Sequence, residues 1–306
     1  MQVKIKETLT APILVLAVFL LLLFSRVIDM IALSETDNVY LVIVVLQLMI
    51  FLLPTLVYCK LKGKGFVGRM RLSPPRAEAM PLVFISALLL ISGEMLIRIA
   101  LGSFASLSDG FSLYGTYTAT GAGTATGAIY LIFAFALIPA VCEELLFRSV
   151  LITEYEGCGV VTATLATSIL FTALHFNFER APVYLFSGIV LAMTLYATRS
   201  TLSCVIVHFI YNIFGLFGQK YMSAFYNSTG SAELLVFIVA LLFLVFLALF
   251  FSEAAKLYAS HSQKNKDSSY VPTKKAKRGK AAEALLSPTF LVCILLFVIV
   301  TVGTNS

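Results

Sequence analysis

Long apolar runs alternate with short polar segments along almost the whole chain. An α-helix needs about 20 residues to cross a hydrocarbon layer about 30 Å thick. Nine runs approach or exceed that length, and the ninth, which follows a long polar loop, could be an accessory helix. The pattern predicts nine helices, at about 9–32, 39–59, 79–101, 127–150, 159–177, 181–198, 201–218, 232–251 and 288–304.

The composition excludes an ordinary soluble domain. Hydrophobic residues make up 59% of the chain and charged residues only 12%, whereas about a quarter of the residues in a soluble domain are charged. We therefore expect an all-α polytopic membrane protein with eight to nine transmembrane helices. Five cysteines are scattered without a CxxC spacing, so neither a disulfide framework nor a thiolate metal site is indicated.

The basic residues predict the orientation in the membrane. With a cytoplasmic N-terminus, 18 of the 22 Lys and Arg residues lie inside, most of them in the loops at 60–78 and 252–287. This bias fits the positive-inside rule. The net charge of +6 therefore reports topology and does not indicate a nucleic-acid partner. The short, Lys-rich chain suggests a bacterial cytoplasmic membrane, and the loop at 102–126 is expected on the outer side.

The runs suggest three parts. Residues 1–126 hold the first three helices and the outer loop. Residues 127–218 hold helices four to seven, which we expect to form the functional core around a cytoplasm-facing cavity. Residues 219–306 hold the last two helices and the basic loop.

Two adjacent carboxylates stand out in the fourth run. Glu143 and Glu144 follow the apolar stretch 128–141, and Arg148 comes four residues after Glu144. Because residues four apart are neighbours on a helix, Glu144 and Arg148 can form an ion pair. Glu143 lies about 100° around the helix and faces a different neighbour. Charged side chains inside a membrane usually face the bundle interior or a watery cavity.

Polar side chains recur in the following runs. Phe171 and His175 are four residues apart, as are His208 and Asn212, so each pair shares a helix face. Glu143 and His175 lie at similar distances from the turn at 157–159, about 22 and 25 Å along their helices. His208 reaches the same depth only if that turn projects about 10 Å beyond the turn at 199–200.

Another pair of opposite charges, Glu94 and Arg98, lies in the third run. The two residues are also four apart, so they can neutralise each other on one helix. We interpret them as a pair that supports helix packing.

The residue types suggest hydrolysis by an activated water. A carboxylate and a histidine across a small gap can hold and deprotonate water, and a histidine with an amide can stabilise an oxyanion. The chain has no GxSxG motif and no HExxH motif. Zinc ligation by Glu143, His175 and His208 stays open as an alternative. No cofactor is indicated.

These residues form three motifs that resemble a known family. Glu143-Glu144-x-x-x-Arg148, Phe171-x-x-x-His175 and His208-x-x-x-Asn212 occur in order on successive predicted helices. They look like the motifs of the CAAX protease and bacteriocin-processing (CPBP or Abi) family of intramembrane glutamic endopeptidases, to which the Ras-converting CAAX prenyl protease belongs. The match covers about 143–212.

The resemblance implies a conical cavity among helices four to seven and a role for each motif residue. Glu143 and His175 would activate water, while His208 and Asn212 would form the oxyanion hole. Glu144 and Arg148, with Phe171 beside His175, would support the site without a metal.

The implied substrate is a peptide or a membrane-anchored protein, either of CAAX type or one that undergoes bacterial processing. Two other functions remain possible at this level. One is a non-enzymatic immunity or scaffold protein that binds through the same pocket. The other is a transporter that relays protons through its membrane Glu and His, although no inverted repeat supports it.

Overall fold

The structure, a computed structural model, describes residues 7–32, 39–102, 125–218, 224–225, 228–264 and 278–305. All regular structure in these ranges is helical. Nine long helices follow the predicted runs, with α4 and α8 continuing well beyond their predicted ends. They are α1 (Glu7–Ala32), α2 (Tyr40–Lys62), α3 (Ala77–Ala100), α4 (Gly127–Cys158), α5 (Val160–Ala173), α6 (Ala181–Thr198), α7 (Thr201–Gly218), α8 (Ala232–Lys264) and α9 (Pro288–Asn305).

Six of these helices, α2, α3, α4, α6, α7 and α8, are long and apolar enough to cross a membrane. The other three contain shorter apolar stretches, at Thr10–Ser25, Val160–Ala173 and Pro288–Gly303. The prediction of an all-α, multi-pass membrane protein is therefore confirmed. Most of the predicted outer loop (103–124) and the centre of the basic loop (265–277) fall outside the described residues, and the three-part division stays a prediction.

The helix α4 that carries the paired glutamates is irregular on both sides of them. Wide, π-helical turns at Phe133–Leu137 and Leu145–Leu151 flank the α-helical segment Ile138–Glu144. Pro139 lies at the start of that segment and cannot donate a helical hydrogen bond. Such π turns inside α-helices frequently occur at functional sites.

Close approach of α5 and α6 depends on a glycine. A Cβ atom added at Gly188 would lie 2.7 Å from Cβ and 2.9 Å from Cα of Ser168. Since real Cβ atoms do not approach so closely, any larger residue here would push the two helices apart. The contact positions α6 along the side of the core formed by α4 and α5.

One end of the bundle carries the basic loop after α2, and ion pairs join it to α4. Lys62 Nζ lies 2.7 Å from Oε1 of Glu154, which also accepts a hydrogen bond from the Tyr58 hydroxyl at 2.9 Å. Arg71 forms an ion pair with Glu156. We call this end, formed by residues 58–76, 154–159 and 199–201, the basic end.

The turn before α7 is also bound to this loop. The Thr201 amide donates to the Arg71 carbonyl oxygen at 2.7 Å, and the Ser200 hydroxyl donates to the Ser73 carbonyl oxygen at 2.6 Å. The Ser149 hydroxyl donates to that of Thr201 at 2.9 Å, so these two residues lie at one depth. Ser149 precedes the turn at 157–159 by about 12 Å of helix, so this turn projects beyond the turn at 199–200, as a shared depth of the three motifs requires.

Candidate active site

Glu144 is fully buried, and one of its carboxylate oxygen atoms contacts two side chains. Its Oε1 lies 3.0 Å from Nη1 of Arg148 and 2.7 Å from Nδ1 of His208. The first contact is the ion pair within α4 that the spacing predicted. The second joins α4 to α7, so Glu144 connects two of the helices that carry the motifs.

Arg148 extends these contacts to α5 and α6. We call the contacts of Glu144 and Arg148 the framework. Its Nη2 donates to the Gly188 carbonyl oxygen at 3.4 Å. Its guanidinium group lies 4.6 Å from the centre of the Phe171 ring, a distance at which a cation is attracted to an aromatic face. Arg148 and Glu144 therefore bind side chains or backbone from all four core helices.

Glu143 has different surroundings, although it is the next residue along the chain. It lines a cavity of about 390 Å³, which Glu144 does not line. Its Oε2 is buried and has no hydrogen-bond partner among the residues that the structure describes. The two glutamates are thus divided between the framework and the cavity, as their helical positions predicted.

His175 lines the same cavity and is held in one orientation. It lies in the turn after α5, which ends at Ala173, and so just beyond the predicted helical position. Its Nδ1 lies 2.7 Å from the Phe171 carbonyl oxygen. Because a carbonyl oxygen only accepts, Nδ1 carries the proton and Nε2 keeps its lone pair. The ring stacks on Tyr184 at 3.8 Å between centroids.

His208 and Asn212 line the cavity from α7. His208 contacts Glu144 through Nδ1, which leaves Nε2 for a group bound in the cavity. Asn212 donates one amide hydrogen to the Ala136 carbonyl oxygen at 3.3 Å, and the second remains for another acceptor. The cavity therefore contains side chains of both histidine motifs and of Glu143.

The side on which the cavity lies differs from the prediction. Its lining begins near the middle of the bundle at Glu143 and continues to Arg98 and Arg180, near the ends of α3 and α6 opposite the basic end. Arg180 is exposed, so the cavity reaches the surface there. The prediction that the cavity opens on the side of the basic loops was therefore wrong. That prediction used only the depth of the residues from the turns and ignored which halves of α3 and α6 carry polar side chains.

Five further side chains in the cavity, each charged or a tyrosine, were not assigned to it from the sequence. Four of them lie in two pairs at one-turn spacing, one pair on α3 and the other at the start of α6, where Arg180 immediately precedes the helix, and the fifth follows His208 by three residues. That spacing is the signal that could have identified them. They are Glu94, Arg98, Arg180, Tyr184 and Tyr211.

The described residues contain no ligand set for a metal centre. Among the described residues, no group of three His, Cys, Asp or Glu side chains is arranged to hold a metal ion. Glu143, His175 and His208 share the cavity wall but do not form the compact cluster that zinc requires.

Comparison with known proteins finds a similarity for one segment of the chain. Residues 125–214 match the family described as type II CAAX prenyl endopeptidase Rce1-like. The matched segment contains all three motifs and extends from the start of α4 into α7. No curated protein and no solved structure matches the chain. The motif-bearing core of this membrane protein, residues 125–214, is thus similar to the family of type II CAAX prenyl endopeptidases.

Proposed function

We propose that this chain is a metal-independent intramembrane glutamic endopeptidase. It hydrolyses a peptide bond of a membrane-associated or C-terminal peptide substrate with a water activated by Glu143 and His175. The observation that carries the proposal is the division of the two adjacent glutamates. Glu144 is bound by Arg148 and His208, whereas Glu143 lines a cavity together with His175.

The two groups suit activation of water. The Oε2 atom of Glu143, which has no hydrogen-bond partner among the described residues, can accept a proton from a bound water molecule. His175 offers its Nε2 lone pair as a second acceptor, since Nδ1 donates to Phe171. The resulting hydroxide attacks the carbonyl carbon of the scissile bond, and the carbonyl oxygen becomes an oxyanion.

Two donors on α7 are available for that oxyanion. Asn212 keeps one amide hydrogen beyond the bond to Ala136. His208 donates from Nε2 only when its ring carries both protons, because Nδ1 is committed to Glu144. Glu144 therefore orients the His208 ring by placing a carboxylate oxygen against Nδ1. Collapse of the tetrahedral intermediate breaks the C–N bond, and the proton taken from water passes to the leaving amine.

The first experiment compares membrane peptides from cells that express the wild type or Glu143→Gln. This substitution removes the base and preserves the shape. We expect peptides whose cleavage depends on Glu143, and a loss of about 10²- to 10⁴-fold in their turnover by the purified variant. Binding of the uncleaved peptide should persist.

Controls separate the alternatives. A chelator should leave turnover unchanged, whereas a zinc enzyme would lose activity. Exposed Arg76 lies at the basic end, and Arg76→Gln should retain full turnover. If Glu143→Gln retained the cellular phenotype, the chain would be a binding protein that uses the pocket without chemistry.

A further inference from the structure

A tyrosine on α6 lies flat against His175 in the cavity. The centres of the Tyr184 and His175 rings are 3.8 Å apart, and their planes differ by 22°. Aromatic pairs commonly have their centres about 4.5–7 Å apart, so this contact is close. Both residues line the cavity that Glu143 also lines. One face of the imidazole is therefore covered by a ring from a different helix.

The backbone gives the His175 side chain limited support. Helix α5 ends at Ala173, and the His175 amide donates to the Thr172 carbonyl oxygen in a tight turn at 3.1 Å. Phe176 has a φ of 46°, in the left-handed region that bulky residues rarely adopt. The chain thus leaves the helical path directly after His175, and the orientation of the His175 ring depends on contacts of the ring itself.

Phe171 supplies two contacts to the His175 ring from the same segment of the chain. Its carbonyl oxygen lies 2.7 Å from Nδ1, and its ring meets the imidazole edge to face at 4.7 Å between centres. A single hydrogen bond makes a modest net contribution, so by itself it leaves other orientations of the ring accessible. Tyr184 adds a flat surface on α6 that restricts the plane of the imidazole.

Tyr184 lies between two turns of α6 that are themselves held in place. Its hydroxyl lies within hydrogen-bonding reach of the Arg180 guanidinium, one turn before it. One turn after it, Gly188 packs closely on Ser168 of α5, and the Gly188 carbonyl oxygen accepts a hydrogen bond from Arg148 of α4 at 3.4 Å. The position of the tyrosine ring is therefore set relative to both α4 and α5.

We propose that Tyr184 is a positioning residue, which holds the plane of the His175 ring so that Nε2 can accept a proton from the water in the cavity. The inference rests on the proposed function, in which Glu143 and His175 act on that water together. The Nε2 lone pair lies in the ring plane, so a rotation of the ring turns it away from the water while His175 stays in the cavity. A misplacement of about 1 Å can cost about 10²-fold in rate.

The first test removes the tyrosine ring or keeps it without the hydroxyl. Tyr184→Leu and Tyr184→Met both lack the flat ring, and Met adapts to irregular space, so the two together guard against a folding failure of one. We expect kcat to fall about 10- to 100-fold in each, with KM nearly unchanged. Tyr184→Phe should keep kcat within about fivefold of the wild type. Wild-type kcat without the ring, or an equal loss in Tyr184→Phe, would overturn the proposal.

Tyr196 provides a matched control on the same helix. It lies about three turns after Tyr184, is buried and does not line the cavity. The Arg71 guanidinium lies 5.5 Å from the centre of its ring. Tyr196→Leu should lower the melting temperature in detergent at least as much as Tyr184→Leu, and should leave kcat unchanged. An equal fall in kcat would show that any loss of packing on α6 impairs turnover, and would contradict a specific role for Tyr184.

Nitrogen NMR of ring-labelled histidine separates this inference from the proposed function, because it requires no turnover. The chain has three histidines, and His175→Gln identifies the His175 signals. In the wild type and in Tyr184→Phe we expect the proton on Nδ1, as the bond to Phe171 requires. In Tyr184→Leu we expect a mixture of both tautomers.

The two possible NMR results have different consequences. The Nδ1 tautomer alone in Tyr184→Leu would overturn the positioning role, even if the chain is an active peptidase. A mixture of tautomers in Tyr184→Leu, together with a wild type that cleaves no peptide, would support the positioning role and contradict the proposed function.

Discussion

The two ends of the bundle use charged side chains in different ways. At the basic end, ion pairs join residues of different segments, as in Lys62–Glu154 and Arg71–Glu156. In the cavity half, Glu144–Arg148 and Glu94–Arg98 each pair within one helix. Cross-segment pairs fix the position of one segment on another, whereas pairs within a helix neutralise charge and leave the space between helices open.

This difference explains how a membrane bundle keeps a polar cavity. Glu144 is neutralised by Arg148 on its own helix, and its neighbour Glu143 faces the cavity with an Oε2 atom that has no hydrogen-bond partner among the described residues. The framework then joins α7 through His208, which lines that same cavity. In the proposed mechanism, the structural role of Glu144 and the chemical role of Glu143 are therefore separated by a single step along α4.

The largest effect should follow from breaking the Glu144–Arg148 ion pair in the cavity half of the bundle. Arg148→Met leaves Glu144 as a fully buried carboxylate with His208 alone. Removing one partner of a buried ion pair destabilises by about 3–5 kcal/mol, so we expect a large fall in melting temperature and no turnover. Scanning fluorimetry in detergent measures the first, and peptide cleavage the second. A melting temperature equal to that of the wild type would show that the pair is dispensable.

A smaller effect should follow at the basic end. Lys62 has a quarter of its side chain exposed, and Glu154 keeps the Tyr58 hydroxyl as a donor after its removal. We expect Lys62→Met to lower the free energy of unfolding by about 1–2 kcal/mol and to leave turnover unchanged. Loss of turnover without loss of stability would mean that this end takes part in the chemistry.

The next prediction concerns which side of the membrane each end of the bundle faces. Its two cysteine variants should have the smallest effect on stability. Glu179→Cys beside the cavity mouth and Leu72→Cys at the basic end replace exposed residues, and all five native cysteines are buried. With a cytoplasmic N-terminus, an impermeant maleimide should label Glu179→Cys in intact cells and Leu72→Cys only after permeabilisation. Labelling with the opposite pattern would invert the topology, and labelling of both from outside would contradict the bundle.

Much of this architecture follows from the sequence. The apolar runs predicted nine helices because membrane span length is a strong physical constraint. The spacing of Glu144 and Arg148 predicted their ion pair, since helical neighbours are set by the backbone alone. A shared depth for the three motifs required the turn at 157–159 to project beyond the turn at 199–200, and the Ser149–Thr201 contact agrees with that requirement.

Other features depend on contacts between helices, which no local spacing encodes. Binding of His208 to Glu144 requires α4 and α7 to be adjacent. Stacking of Tyr184 on His175 requires α6 to lie against the turn after α5. Glu94 and Arg98 were interpreted as a packing pair, and only the arrangement of α3 shows that they line the cavity.

The most direct measurement of the central claim compares Glu143→Ala and Glu144→Ala. Melting temperature in detergent and peptide turnover are measured for both variants. Glu143→Ala should abolish turnover with little change in melting temperature, because its carboxylate has no partner on Oε2 among the described residues. Glu144→Ala should lower both, since it strips Arg148 and His208 of their shared carboxylate. Equal losses of melting temperature would show that the two roles are not separable, and a larger loss for Glu143→Ala would show that they are reversed.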